Sequence, residues 1–405
     1  MTGAKRRPED LAILGGDPLF TSPRPIGQLD APPVEDYLRI LRRSFESRRL
    51  TNDGPAVQEL EQRLCDWHQV GNCISVANAA LGLTMLMQLA SRGRPGDVAM
   101  PAFSFRGLPH LARWAGQTPL FCDVDPATHT LDPADVADRM TDRTNSILAV
   151  CNFNDPGDLE GLGELARRRG APLIIDSVYG FGATHRGRPL GGFGTAEVFS
   201  LHATKLLNGF EGGYITTNDD ALATALRWQR NFALPGLRPD GLELDHVLGL
   251  NAKLNELHAA MALAGLDRVD SIIEGNKARH QAYLEQVDPI PGLALMPCDD
   301  SRDRRGFQLA ILDVGSPWPL TRDETLKLLR AEGAAVGPYY SPPLHVADAR
   351  GESVARLPVS EVLARRFVQL PVGELVSLDD IRAIGALLRS VSEHGDAVRA
   401  RLGRV

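Results

Sequence analysis

The 405-residue sequence contains few lysines and no long hydrophobic run. Only five of its 44 basic residues are lysines, so a reaction that needs an amine nucleophile has few candidates. No window of about 20 apolar residues appears, which argues against a membrane span. The basic N-terminus also lacks the apolar segment of a signal peptide. We therefore expect a cytoplasmic protein with no membrane partner.

Three further features of the sequence argue against metal-binding, nucleic-acid-binding and dinucleotide-binding proteins. The five cysteines include no C-x-x-C pair, which disfavours a zinc ribbon or a disulfide framework, and we expect no metal site. The net charge is −7 with acids and bases mixed along the chain, so no nucleic-acid partner is expected. No G-x-G-x-x-G follows a predicted strand, and a dinucleotide-binding fold is therefore disfavoured.

The order of the predicted elements favours an α/β fold with two domains. Between Asn72 and Thr217, short apolar runs alternate with helical stretches, a pattern typical of a largely parallel sheet that is buried on both faces. Beyond about Asp288, the strand-like segment FQLAILDV and two helical segments predict a smaller α+β unit. Because chains beyond roughly 250–300 residues usually divide, we predict a large domain over residues 1–287, with an N-terminal arm, and a small C-terminal domain over residues 288–405.

One lysine follows a predicted buried strand. The strand AEVFS leads into SLHATKLLNGFEGG, which contains Lys205. An amine that is removed from water has a depressed pKa and becomes a nucleophile near neutral pH, as a Schiff base requires. A surface lysine in a polar loop is the alternative that this segment alone leaves open.

Two other segments carry candidate cofactor-binding groups. Asp176 ends the apolar strand PLIID, where a carboxylate can pair with a pyridinium nitrogen, although strand-terminal aspartates also occur at metal sites. Asn78-Ala79-Ala80 begins an apolar helix, and the amides at such a helix start can bind a phosphate. An ordinary helix start has the same sequence pattern.

Taken in order, these segments resemble the pyridoxal 5'-phosphate (PLP)-dependent nucleotide-sugar aminotransferases of the DegT/StrS family. The matching landmarks are ILGGDP, LTNDGP, PAFSFRGLPHLARWAG, FCDVDP, LIID, SLHATK with the following EGG, RNF, NAKLNE, YYSPPLH and LPVG. They extend from about Ile13 to Leu388 and are most similar to the 4-aminotransferases that act on dTDP-4-keto-6-deoxyglucose. The resemblance implies the aspartate-aminotransferase (type I) fold, an α/β fold with a large, mixed, mostly parallel sheet domain and a smaller α+β domain.

The resemblance also implies a role for each residue on the cofactor side. Lys205 would form the Schiff base and shuttle protons, and Asp176 would hold the pyridine nitrogen protonated. Phe105 would stack on the cofactor ring. The remaining predicted cofactor contacts are Ser200 and the backbone amides of Ala79 and Ala80 at the phosphate, Tyr179 at O3', and Asn251.

A homodimer with shared active sites is implied as well, because Asn251 matches an asparagine that reaches the phosphate of the neighbouring subunit. The predicted substrate contacts are Asn52, Lys253, Tyr340 and His345. The implied reaction is a ping-pong transamination through aldimine and ketimine stages. An amino acid, L-glutamate, converts the cofactor to pyridoxamine 5'-phosphate, and a nucleotide-linked keto-deoxysugar then accepts the amino group. Such reactions belong to amino-sugar and antibiotic biosynthesis.

Five positions depart from the family pattern. Ala80 stands where a threonine is usual, and Tyr179 where a glutamine or histidine is usual. Cys151 replaces a common histidine, Asn154 a common glycine, and Gly337 an arginine of the most similar members. These departures leave three alternatives open: another PLP reaction, amination of a non-sugar ketone, or a non-catalytic regulatory or binding homologue.

Overall fold

The computed structural model describes residue 5 and residues 7–153, 155–348 and 355–402. These residues form a large sheet, a smaller sheet and a short two-stranded ribbon. The ribbon consists of β6 (Thr184–His185) and β7 (Arg188–Pro189). The large sheet contains β1 (Asn72–Val76), β2 (Asp97–Pro101), β3 (Thr118–Cys122), β4 (Thr144–Val150), β5 (Leu173–Asp176), β8 (Ala196–Ser200) and β9 (Gly213–Thr217).

The large sheet has the strand order β1-β9-β8-β5-β4-β2-β3. Strands β8, β5, β4, β2 and β3 run parallel, whereas β9 is antiparallel to both of its neighbours. Strand β4 is buried along its whole length, as expected for a central strand that is covered on both faces. The predicted α/β class with a mixed, mostly parallel sheet is therefore confirmed.

Helices pack on both faces of the large sheet. They are α1 (Val34–Ser47), α2 (Pro55–His68), α3 (Ala79–Ser91), α4 (Leu108–Trp114), α5 (Pro133–Arg139), α6 (Leu159–Arg169), α7 (Asp220–Gln229) and α8 (Glu256–Leu266). Helices α3, α4 and α7 share one hydrophobic core with the sheet, and α2, α6 and α8 share the core on the opposite face. Side chains that alternate along each strand supply both cores.

A second unit is built on an antiparallel sheet with the order β10-β11-β13-β12. Its strands are β10 (Leu293–Leu295), β11 (Ile311–Val314), β12 (Gly337–Pro338) and β13 (Phe367–Gln369). The α-helices that follow α8 are α9 (Val269–Val287), α10 (Arg322–Ala331), α11 (Leu344–Ala347), α12 (Pro358–Leu363), α13 (Leu378–Glu393) and α14 (Gly395–Leu402). Helix α11 packs through Leu344 in the core of the large sheet, whereas α10, α13 and α14 contribute to the core of the second unit.

The N-terminal arm packs against this second unit. Leu11, Leu19 and Phe20 are buried in its core, and the Phe20 amide donates to the Glu332 carbonyl at 3.0 Å. The arm that we predicted as part of the large domain thus contacts the small one, while the boundary near residue 287 stays a prediction. Within the described residues, none of the helices combines the length and apolar composition that a bilayer crossing requires.

Candidate active site

Strands β5 and β8 bring Asp176 and Lys205 to the same edge of the large sheet. Asp176 is the last residue of β5 and pairs in register with Val198 of the parallel strand β8. Strand β8 ends at Ser200, and the loop that follows carries Lys205, whose backbone amide donates to the His202 carbonyl at 2.8 Å. In open α/β sheets, ligands bind outside the carboxyl ends of the strands, where these two residues lie.

Asp176 is a buried carboxylate with only 3% of its surface exposed. Burial raises the pKa of its carboxyl to about 6, while a hydrogen bond from the Val178 amide (3.2 Å) and the positive charge of Lys205 act in the opposite direction. Among the described residues, Asp176 has no ion-pair partner within 4 Å. The carboxylate is therefore near Lys205 without forming an ion pair with it.

Lys205 lies against an aromatic ring. Its Nζ is 3.6 Å from the ring centroid of Tyr179, within the range of a cation–π contact, and the residue is half-buried. The amine is therefore partly shielded from water and lies against an aromatic ring, and its role as the Schiff-base lysine stays a prediction.

The start of α3 offers unpaired backbone amides beside the end of β8. The Asn78 side chain caps the helix by accepting from the Leu81 amide at 2.9 Å, and among the described residues the amides of Ala79 and Ala80 have no recorded partner. Gly213 pairs with Ser200, and a Cβ at Gly213 would lie 2.5 Å from the Ala79 nitrogen. The start of α3 and the end of β8 therefore lie close together on either side of Gly213. The predicted phosphate-binding residues Ala79, Ala80 and Ser200 belong to these two segments.

Aromatic side chains border the site on the side of the small unit. Tyr340 stacks on Tyr339 with 4.1 Å between ring centroids and meets Phe103 edge to face at 5.7 Å. Burial raises the pKa of the Tyr340 phenol, and the charges of Tyr339, Tyr179 and Asp176 add to this effect. Phe105 lies in the loop between β2 and α4, and 56% of its surface is exposed. The roles of Phe105 and Tyr340 stay predictions.

Asn251 and Lys253 form an exposed polar cluster with a third residue, Asn231. The Lys253 ammonium donates to Oδ1 of Asn251 at 2.7 Å and to Oδ1 of Asn231 at 2.9 Å. Since both carboxamide oxygens face the lysine, the two NH₂ groups are left to donate elsewhere. Lys253 also lies 4.7 Å from the exposed ring of Phe232. The cluster presents positive charge and hydrogen-bond donors on the surface.

Two predicted substrate contacts, Asn52 and His345, have neighbours that do not belong to the Lys205–Asp176 site. Asn52 lies in an exposed turn, and its neighbour Asp53 pairs with Arg230 at 2.6 Å. His345 is buried, with Nε2 3.6 Å from the Glu361 carboxylate, and burial lowers the pKa of its imidazole. His345 forms no hydrogen bond or ion pair with Lys205 or Asp176. Its role in binding the substrate therefore stays a prediction.

Cys151, one of the departures from the family pattern, lies in the hydrophobic core on one face of the large sheet. The Cys151 thiol is buried in the core formed with α2, α6 and α8, and its sulfur is 3.5 Å from the Ser177 hydroxyl. Ser177 in turn donates to the buried Glu197 carboxylate at 2.5 Å. The Cys151 thiol thus faces this core and contacts the residue that follows Asp176, and its bearing on the choice of substrate stays a prediction. Gly337 opens β12, and Asn154 lies outside the described residues.

Sequence reasoning missed two buried polar residues that connect distant segments of the chain. The Gln308 side chain accepts a hydrogen bond from the Leu206 amide, next to Lys205, and donates one to the Tyr179 carbonyl. Glu256 accepts hydrogen bonds from the Ala56 and Val57 amides at 2.8 and 2.9 Å and so caps α2 from a distance. In the sequence, Gln308 stands out as an amide within the apolar run FQLAIL. Glu256 stands out as a carboxylate at the start of an otherwise apolar helix.

Comparisons with known proteins agree with this arrangement. The model of the DegT/DnrJ/EryC1/StrS aminotransferase family matches residues 34–389. The crystal structure of DesI in the presence of its TDP-sugar product is similar, with a TM-score of 0.89 and 36% identity, over 97% of this chain and 99% of that chain.

Two characterised relatives match over nearly their whole length. The dTDP-4-amino-4,6-dideoxy-D-glucose transaminase of Shigella dysenteriae is 26% identical over 90% of this chain and 98% of its own. The L-glutamine:2-deoxy-scyllo-inosose aminotransferase of Streptomyces fradiae is 30% identical over 95% of this chain and 98% of its own. The resemblance seen in the sequence motifs is thereby confirmed. This chain is an aminotransferase of the type I fold and belongs to the DegT/DnrJ/EryC1/StrS aminotransferase family.

Proposed function

We propose that this enzyme holds PLP on Lys205 and transfers the amino group of an amino acid, L-glutamate, to a nucleotide-linked keto-deoxysugar. One observation carries the proposal: a half-buried amine and a buried carboxylate lie at the same sheet edge without forming an ion pair with each other. An amine for the Schiff base and an anion for the pyridine nitrogen are the two groups that this chemistry needs from the protein.

The residues present fit PLP at each end. Asp176 is buried and forms no ion pair with any residue that the structure describes, so its carboxylate is available to a protonated ring nitrogen. At the other end, the unpaired amides of Ala79 and Ala80 and the Ser200 hydroxyl are suited to a phosphate. Ala80 offers no side-chain donor, which leaves its amide as the only contact it can make.

PLP, when bound, supplies an electron sink that stabilises negative charge on the α-carbon of an amino acid. Asp176 would keep the ring nitrogen protonated, and burial would strengthen that interaction because few water molecules compete. The Lys205 amine would hold or donate the proton that moves at the substrate carbon. Such positioned proton transfer typically contributes about 10²–10⁴-fold to a rate.

A homodimer that shares its active sites is part of the proposal. Helix α1 and the neighbouring surface expose a group of large apolar side chains, namely Val34, Leu38, Phe45, Phe210 and Leu257. Apolar clusters of this kind mark protein interfaces. Aromatic contacts between Tyr37, Phe210 and His258 connect α1 with α8 in this region. The Asn231–Lys253–Asn251 cluster, with its free amide donors, is the group that would reach an anion in the partner's site.

Two classes of ketone are candidates for the substrate that accepts the amino group. Similarity to enzymes named for dTDP- and TDP-linked sugars supports a nucleotide sugar. The Streptomyces fradiae relative is named for 2-deoxy-scyllo-inosose, a ketone with no nucleotide in its name, and it supports amination of a free cyclic ketone. The departures at Tyr179 and Gly337 are compatible with either ketone.

A half-reaction distinguishes these candidates. The enzyme is loaded with pyridoxamine 5'-phosphate and offered dTDP-4-keto-6-deoxyglucose or a free cyclic ketone, and recovery of the aldehyde form is followed by absorbance. We expect the nucleotide sugar to restore the band in the wild type and not in Lys205→Ala. Recovery with the free ketone alone would overturn the sugar assignment. A colourless protein that takes up no cofactor would instead favour a regulatory or binding homologue.

A further inference from the structure

A network of three buried carboxamides lies beneath the loop that carries Lys205. Gln308, Gln28 and Asn276 each have 2% or less of their surface exposed. The Nδ2 of Asn276 donates to Oε1 of Gln28 at 2.6 Å, and Nε2 of Gln28 donates to the backbone carbonyl of Gln308 at 2.9 Å. The network therefore connects α9, the N-terminal arm and the chain that leads into β11.

The Gln308 side chain holds two parts of the site together. Its Oε1 accepts a hydrogen bond from the Leu206 amide at 3.2 Å, and its Nε2 donates to the Tyr179 carbonyl at 3.0 Å. Leu206 directly follows Lys205, and the Tyr179 ring is the one that the lysine amine contacts. One carboxamide thus sets the separation between the backbone of the lysine and that of its aromatic partner.

The arm fixes the other side of the same loop. The Gln28 backbone amide donates to the Thr204 carbonyl at 3.1 Å, and a Cβ at Gly27 would lie 2.7 Å from the Thr204 Cβ. Residues 204 and 206, on either side of Lys205, are therefore both held by groups from outside the loop. The side chains of Leu206 and Leu207 are buried in the core and hold the loop as well, so the hydrogen bonds at residues 204 and 206 fix the position of its backbone rather than its attachment to the core.

Only an amide can make both contacts of Gln308. Its oxygen accepts and its nitrogen donates, whereas an ionised carboxylate only accepts and a thioether does neither well. We propose that Gln308 is a positioning residue that holds the Lys205 amine over Tyr179. The inference rests on the proposed function, because its consequence is the geometry of the lysine towards the cofactor.

The test compares Gln308→Glu, Gln308→Met and the control Gln117→Glu in the holoenzyme. Gln117 is a similarly buried amide that donates to the Arg94 and Gly116 carbonyls and accepts from Asn145 at 2.6 Å, within the core of the large sheet. Its substitution creates a comparable buried carboxylate without touching the lysine loop. The readouts are thermal unfolding, the absorbance of the lysine-bound cofactor between pH 6 and 9, and the rate of the first half-reaction.

We expect Gln308→Met to slow the half-reaction by about 10–100-fold, because small displacements of reacting groups have effects of this size. Gln308→Glu is expected to be slow at pH 8 and to recover partly towards pH 6, because a protonated carboxyl regains the donor to Tyr179. Gln117→Glu should lower stability and leave the absorbance and the rate unchanged.

Two outcomes would count against the proposal in different ways. If both Gln308 variants unfold earlier but keep the wild-type absorbance and rate, the side chain is only structural and the positioning role is wrong. If the wild type itself forms no borohydride-reducible link to Lys205, the proposed function fails before Gln308 is tested. If Gln308→Glu does not fold, Gln308→Met still decides, since it retains volume and adds no charge.

Discussion

The Lys205 Nζ lies 3.6 Å from the centre of the Tyr179 ring, at the carboxyl edge of the large sheet. Tyr179 lies at the position where the resemblance to the family led us to expect glutamine or histidine, and it places an aromatic ring against the lysine. A phenol provides what those residues provide, one hydrogen-bond donor, and adds a ring face that attracts a cation. The departure at Tyr179 therefore changes the surroundings of the lysine while retaining a donor.

Tyr179→Phe tests the hydroxyl separately from the ring. If the phenol donates to O3' of the cofactor, its loss removes a bond that favours the unprotonated form, and the pH midpoint of the visible band should rise. The loss of one hydrogen bond corresponds to a shift of about one unit or less. Tyr179→Leu, which also removes the ring, is the companion variant. An unchanged midpoint in Tyr179→Phe would place the hydroxyl elsewhere.

Asp176→Asn should stabilise the cofactor-free protein at pH 8 while slowing the half-reaction. Burial raises the pKa of Asp176 to about 6 from 3.8, so this carboxyl favours the folded state fully below about pH 4 and loses that contribution as pH rises through about 6. Above pH 6, the neutral asparagine should therefore be more stable by roughly 1–3 kcal/mol, with little difference near pH 4.

Urea unfolding of the two cofactor-free proteins at pH 4, 6 and 8 measures the effect of Asp176→Asn on stability. A stability gain that is equal at all three values would show that the ionisation of Asp176 is not its source. The half-reaction rate of the same variant should fall at least about 10²-fold, because the ring nitrogen loses its anionic partner.

Mixing two inactive variants tests the shared active site. Lys205→Ala lacks the amine, and Asn251→Ala lacks the distal amide. If each site takes Lys205 from one subunit and Asn251 from the other, a mixed dimer contains one intact site. Random mixing through unfolding and refolding should then restore about a quarter of the wild-type activity, as the symmetry of a dimer requires. No recovery, in dimers shown by mass to be mixed, would mean that both residues act within one subunit.

Glu256→Ala should destabilise the protein through α2. The Glu256 carboxylate accepts from the Ala56 and Val57 amides and from the Ser44 hydroxyl at 2.5 Å, and its loss leaves three buried donors unpaired. We expect a cost of about 1–3 kcal/mol, measured by urea unfolding. The exposed Glu285→Ala is the matched control and should change stability by less than about 0.5 kcal/mol. Equal effects would contradict the capping role.

The strands and the two central residues could be predicted from the sequence because they depend on local patterns. Apolar runs set the strands, and a parallel sheet brings their carboxyl ends together, so PLIID and AEVFS place Asp176 and Lys205 at one edge. Gln308 and Glu256 depend instead on partners more than 100 residues away in the chain, such as Leu206 and Val57. Periodicity carries no information about such contacts.

The central claim is that Lys205 forms the bond to the cofactor, and the scarcity of lysines makes a direct measurement possible. The protein is incubated with PLP, reduced with borohydride, digested and analysed by mass spectrometry. We predict a pyridoxyl phosphate adduct on the peptide that contains Lys205, and none on peptides with the other four lysines, Lys5, Lys253, Lys277 and Lys327. An adduct on Lys253 alone, or no adduct with the cofactor in excess, would contradict the account.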